Sequence, residues 1–284
     1  MTPFPQPRRE TKHDDRQRQL PVLALALLLA LAVARGFAEA PAGPAAPEDL
    51  RAAKLLETAL FARHAGAEDW RKLEKIYADL GAKHPRDAAV KNGHAEFLWN
   101  SGEQARAMEM WEAAAALEPK NAVVLDHLGD GWLAAGEAKK AAAFYARTVE
   151  SAPRNAAYRF TLANVTFLFR HELRDAAQPD EAAVLGHALA LFAEASRLEP
   201  LNTEYARGYA ETFYSLPQPD WEAALAAWRH FAEISPRKDF AQANLARVHL
   251  KLGQKDAARE CLDKVQGPDF QRLKARLSER IEAE

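Results

Sequence analysis

Groups able to do covalent or metal chemistry are few in this chain, and they do not converge. His171-Glu172 begins like a zinc-protease pattern, in which two histidines one helical turn apart hold the metal and the glutamate acts as base. Leu173-Arg174-Asp175-Ala176 then supplies no second histidine. No G-x-S-x-G elbow exposes a serine, no glycine-rich loop could cradle phosphate, and no C-x-x-C-H run could take haem. The single cysteine, Cys261, excludes a disulfide framework and a thiolate zinc site, and reads as a packing residue on a helix. The nine histidines are scattered, with His94 and His249 at positions that suit packing between helices. The expectation is a non-enzyme with no metal and no cofactor. What remains is non-covalent chemistry: aromatic faces and hydrogen-bonding side chains that recur at fixed intervals.

The composition limits the elements that can carry those side chains. The chain has 284 residues, is 48% hydrophobic and 27% charged, and has a formal net charge of −2. These values exclude wholesale disorder and a collagen-like chain. They also give no basic footprint for nucleic acid. Alanine dominates the apolar residues and β-branched residues are sparse, which favours helix, because alanine loses no side-chain entropy there.

An internal period organises the chain. Pro85, Pro119 and Pro153 are 34 residues apart, and Pro200 and Pro236 follow after 47 and 36. Ten residues after each proline is a small residue: Ala95, Gly129, Ala163, Ala210 and Ala246. Eight before each is an aromatic: Tyr77, Trp111, Tyr145, Phe192 and Trp228. Twelve before the last four is alanine: Ala107, Ala141, Ala188 and Ala224. Seventeen after Pro85, Pro119 and Pro236 comes a turn glycine: Gly102, Gly136 and Gly253. A proline cannot donate a backbone hydrogen bond, so it punctuates a helix end. Asp87, Asn121, Asn155 and Asn202, two residues after prolines, are candidate N-caps for the next helix.

This register resembles the tetratricopeptide repeat, a 34-residue helix–turn–helix unit. The clearest copy is residues 122–155, with Leu125, Leu128, Gly129, Trp132, Gly136, Ala141, Tyr145 and Pro153 at the family's positions. The resemblance covers about residues 54–265. It implies an all-α fold, a right-handed α-solenoid of tandem helix–turn–helix repeats. Units are expected near 48–84, 88–121, 122–155, 156–202, 203–238 and 239–267, the first degenerate, with Phe61 at its small-residue site. An amphipathic helix over about 269–283 would be the C-terminal cap that solenoids need. The third full unit carries about 13 extra residues near 170–180, and the fourth has two extra near 215–220. Such longer turns cost little closure entropy; the alternative is a protruding edge that meets a partner.

By the same resemblance, the first helix of each repeat lines a concave groove. The residues placed there include Asn92 and Trp99, then Asp126 and Asp130, then Phe160, Asn164 and Phe167, then Arg207 and Tyr214, then Arg247. Mixed aromatics and hydrogen-bonding groups are the composition of interface hot spots. The implied function is a non-catalytic scaffold for a protein or peptide segment. The alternatives are an enzyme or recognition subunit of the envelope, and a self-associating structural protein. The carboxylate clamp of chaperone-binding members lacks its lysines here, although Asn164 suits one position.

The first forty residues differ from the rest. Arg8, Arg9, Lys12, Arg16 and Arg18 precede the apolar run of residues 20–34, which would span about 22 Å as a helix, short of the roughly 30 Å of a hydrocarbon core. Ala38-Glu39-Ala40 is a suitable cleavage site, with Ala32-Val33-Ala34 the other option. The order is that of a secretory signal peptide, cleaved or retained as an anchor. Either version places the remainder outside the cytoplasm, in the periplasm or secreted. Membrane anchoring is expected only through this segment. Residues 41–47 (PAGPAAP) read as an extended spacer.

Overall fold

The computed structural model describes residues 47–175 and 180–283. The expected leader or anchor (1–40) and nearly all of the spacer lie outside the described residues. The chain divides into two compact units between Ser151 and Ala152.

The first unit holds six helices: α1 (Glu48–Ala62), α2 (Ala67–Lys83), α3 (Ala88–Asn100), α4 (Gln104–Leu117), α5 (Ala122–Ala134) and α6 (Ala138–Ser151). The second holds α7 (Ala156–Leu168), α8 (Glu181–Leu198), α9 (Thr203–Thr212), α10 (Trp221–Ile234), α11 (Lys238–Lys251), α12 (Lys255–Asp263) and α13 (Gln271–Ala283), with 3-10 turns at Phe213–Ser215 and Pro268–Phe270. Within each unit these are consecutive helical hairpins, and no strand occurs among the described residues.

The local signals act as their chemistry requires. Helices α2, α4, α6, α8 and α10 each stop two residues before a proline of the series. Asp87, Asn121 and Asn202 each accept from two backbone N–H groups of the helix that follows, and Asn155 accepts from Tyr158 N–H. Each such cap stabilises its helix by about 1 kcal/mol. Gly102, Gly136 and Gly253 have φ of 83°, 79° and 72°. The N–H after each one reaches back five residues, from Glu103 to Leu98, Glu137 to Trp132 and Gln254 to His249. That is a left-handed C-terminal cap, closed without a Cβ penalty.

The small residues mark close helix crossings. Ala95, Ala163, Ala210 and Ala246 are fully buried, as are Ala107, Ala141, Ala188 and Ala224. A Cβ on Gly129 would lie 2.5 Å from Cε1 of Tyr145, so α5 and α6 meet there with no room for a methyl group. The first unit packs around Leu73, Tyr77, Phe97, Leu98, Trp111 and Leu128. The second packs around Phe213, Trp228, Phe231, Leu245, Leu277 and Ile281. Phe61, at the degenerate small-residue site, is half exposed against Trp70 at 4.6 Å between ring centroids.

The long turn after α7 is closed at both described ends. Arg170 pairs with Glu181 at 2.5 Å, and Asp180 caps α8 by accepting from Ala183 N–H at 2.8 Å. The terminal helix starts at Gln271, two residues later than expected, because Pro268–Phe270 forms a tighter turn first. Asp239 accepts from the N–H groups of Gln266 and Gly267 and ties this turn to α11.

Candidate functional site

In the first unit the recurring aromatics are also donors. Tyr77 OH donates to Glu57 at 2.8 Å, Trp111 Nε1 to Asn92 Oδ1 at 3.1 Å, and Tyr145 OH to Asp130 at 2.6 Å. Each aromatic sits on the second helix of a hairpin and each acceptor on the first. The aromatic therefore fills space and also pins its own hairpin through a buried polar tip, as buried tyrosine and tryptophan usually require. Around Asn92 the bonds form a network. Its Nδ2 donates to Glu96 at 2.7 Å, His127 Nδ1 lies 2.9 Å from its Oδ1, and Lys54 pairs with Glu96 at 2.9 Å. Trp99 lies half-buried beside Trp111, with centroids 5.3 Å apart.

Three of the expected groove residues are corrected by this geometry. Asn92 is 9% exposed, Asp126 4% and Phe160 9%, so none presents an open surface. The reason is lateral packing. Asn92 turns onto the Trp111 indole, and Phe160 is held between Phe192 at 5.5 Å and Tyr205 at 4.6 Å. Asp130 is partly exposed but holds Tyr145.

The second unit presents a different surface. Asn164 bonds to its own helix, donating to Phe160 O at 2.8 Å, and Phe167 lies under Arg170 at 5.6 Å. Arg207 pairs with Glu204 at 2.5 Å. The guanidinium of Arg247 lies 4.2 Å from the Tyr214 ring centroid and donates to Asn244 Oδ1 at 3.0 Å. Tyr214 OH in turn reaches Asn244 at 3.3 Å. Arg237 lies over Phe240 at 4.5 Å, and Lys251 over Trp221 at 5.6 Å. Tyr214, Arg207 and Arg247 were expected here from the repeat register. Arg237, Trp221 and Asn244 were not. The signal for Asn244 is its place one turn before Arg247, on the same helix face.

Electrostatics follow burial. Desolvation pushes the Glu211 carboxyl above its ordinary range; Arg207, Arg237 and Arg247 pull it down and Glu204 pushes it up. Burial raises the Tyr214 phenol, opposed by Arg247. Burial also raises the Cys261 thiol, which lies in the core and suits packing. His94, stacked on Tyr77 at 5.7 Å, is held below the usual histidine range by burial, with Arg106 next. Among the described residues, no group of three His, Cys, Asp or Glu side chains could hold a metal ion, and no helix is long and apolar enough to cross a membrane.

No protein-family model and no curated protein matches the sequence. Solved structures do match. YrrB, a tetratricopeptide protein with an unusual peptide-binding site, is 18% identical, with a TM-score of 0.55 over 72% of this chain and 97% of its own. PilF of Pseudomonas aeruginosa is 15% identical, with a TM-score of 0.53 over 83% of this chain and 97% of its own. MamA of AMB-1 is 14% identical, with a TM-score of 0.51 over 65% and 92%. At these identities the likeness establishes the fold, the all-α solenoid of tetratricopeptide helical hairpins.

Proposed function

We propose that this chain is a non-catalytic scaffold that holds a protein or peptide segment on the first helices of its hairpins. The observation that carries this reading is that Trp99 in the first unit, and Phe167, Tyr214 and the exposed Arg247 in the second, stand at least part-exposed on or next to those helices, where each unit's ordered aromatics, and the cation in the second, give buried area and orientation to what docks on that unit. YrrB, which shares the fold, has a peptide-binding site. The basic, apolar and small-residue order of residues 8–40 supports work outside the cytoplasm, in assembly of envelope complexes, either after cleavage or with the segment kept as an anchor.

The test is co-purification from cells expressing the whole chain, compared with Trp99→Ala/Phe167→Ala/Tyr214→Ala. A partner recovered with the wild type and lost with a helical variant is the expected result. The same partner held equally by both excludes this residue set. Fractionation completes the test: a full-length product confined to the cytoplasm overturns the envelope assignment.

A further inference from the structure

We propose that the outward face of α11, with the rings of Tyr214 and Trp221 beside it, is a docking stripe for an extended acidic protein segment. The inference rests on the scaffold reading above and names the chemistry of what is held.

Phe240, Asn244, Arg247 and Lys251 are spaced four, three and four residues apart, so they share one helix face; Asn244 is buried on it and Phe240 half-buried against the core, so the groups that project are Arg247 and Lys251. From Arg237 to Lys251 the axial rise is about 21 Å, the span of about six residues of extended chain. Three cations mark this length, and each lies over a ring: Arg237 on Phe240, Arg247 on Tyr214, Lys251 on Trp221. All three cations are exposed. None has an ion-pair partner among the described residues, whereas Arg106, Arg207 and Arg259 all pair with carboxylates. Glu211, on α9, feels the charges of Arg237 and Arg247 but forms an ion pair with neither. Stacking on a ring fixes a long side chain while leaving its charge available. A ligand then meets an ordered cation and loses less entropy on docking. Carboxylates along an extended segment supply the missing counter-charges, and the rings cover its stem carbons.

A nucleic acid is the less suitable occupant. Its phosphate chain calls for a broad basic face. Here the cations form a single row, with the carboxylates of Glu204 and Glu211 on the neighbouring α9.

The test is fluorescence anisotropy with the whole chain in mild detergent. The probes are labelled peptides of about eight residues alternating Glu with Gly, their Gln–Gly counterparts, and an oligothymidylate of similar length. The Glu peptide should bind at least about tenfold more tightly than the Gln peptide, and added salt should erase the difference. Arg247→Gln/Lys251→Gln should abolish the preference, while Arg229→Gln/Arg259→Gln, exposed cations elsewhere, should keep it. The salt series on the wild type gives the same answer should the first variant not fold. Equal binding of Glu and Gln peptides, an unchanged preference in the first variant, or tighter binding of oligothymidylate each overturns the proposal. A Gln peptide held as firmly as the Glu peptide, and released by the Trp99/Phe167/Tyr214 triple variant, overturns the acidic assignment while the scaffold reading stands.

Discussion

The indole N–H of Trp111 donates to the side-chain oxygen of Asn92 at 3.1 Å, in the interior of the first unit. Position in the repeat made Asn92 a surface residue, whereas its bonds make it part of the packing. Asn92→Ala leaves a buried donor without its acceptor, a loss of about 1–3 kcal/mol. Urea unfolding should show that loss. Wild-type stability with a lost binding partner would instead return Asn92 to the surface.

Gly129 faces the ring of Tyr145 across the α5–α6 crossing. Tyr145 cannot swing away freely, because its hydroxyl holds Asp130. Gly129→Ala should therefore destabilise the chain by about 1–3 kcal/mol through overpacking. Adding Tyr145→Leu should recover part of that loss. A single variant that melts like the wild type would show that the helices do not meet so closely.

Two glycine-to-alanine exchanges should have opposite signs. Gly136 has φ of 79°, where a Cβ costs roughly 1–2 kcal/mol. Gly186 lies within α8, with nothing within 4 Å of an added Cβ. Gly186→Ala should stabilise by about 0.5–1 kcal/mol, since glycine is a poor helix residue. Melting temperatures of the two variants should fall on either side of the wild type.

Burial pushes the Tyr205 phenol up to about 12, with the Glu199 charge adding to it. The folded chain therefore keeps a proton that the unfolded chain releases near the ordinary value of 10. Stability from this group is complete below pH 10, falls as pH rises and is lost through pH 12. Tyr205→Phe should flatten that part of the pH–stability curve while tyrosinate absorbance reports the remaining phenols. An unaltered alkaline slope would place Tyr205 in water.

The helical hairpins were legible because their signals are local. Five prolines, four capping side chains and three turn glycines each act within a few residues of themselves, so spacing alone locates them. The site was less legible. Periodicity assigns a residue to a helix face, but it does not say which neighbouring ring covers that face. Asn92 turns inward because Trp111, 19 residues later, needs an acceptor. Arg247 is ordered by Tyr214, which belongs to the preceding hairpin. Arg237 falls outside the helix-face periodicity because it precedes α11, and only the fold brings it over Phe240.

The hairpin construction also bears on how the chain reaches its native state. Each unit closes through pairings near in sequence: in the first, Asn100 and Glu57, Lys54 and Glu96, and Arg106 and Glu74 lie 43, 42 and 32 positions apart. Such low contact order belongs to rapid folding, because little loop entropy is lost before a contact forms. A chain delivered amino end first can thus complete one hairpin before the next emerges. Synthesis can set the pace, with no distant strand among the described residues to wait for.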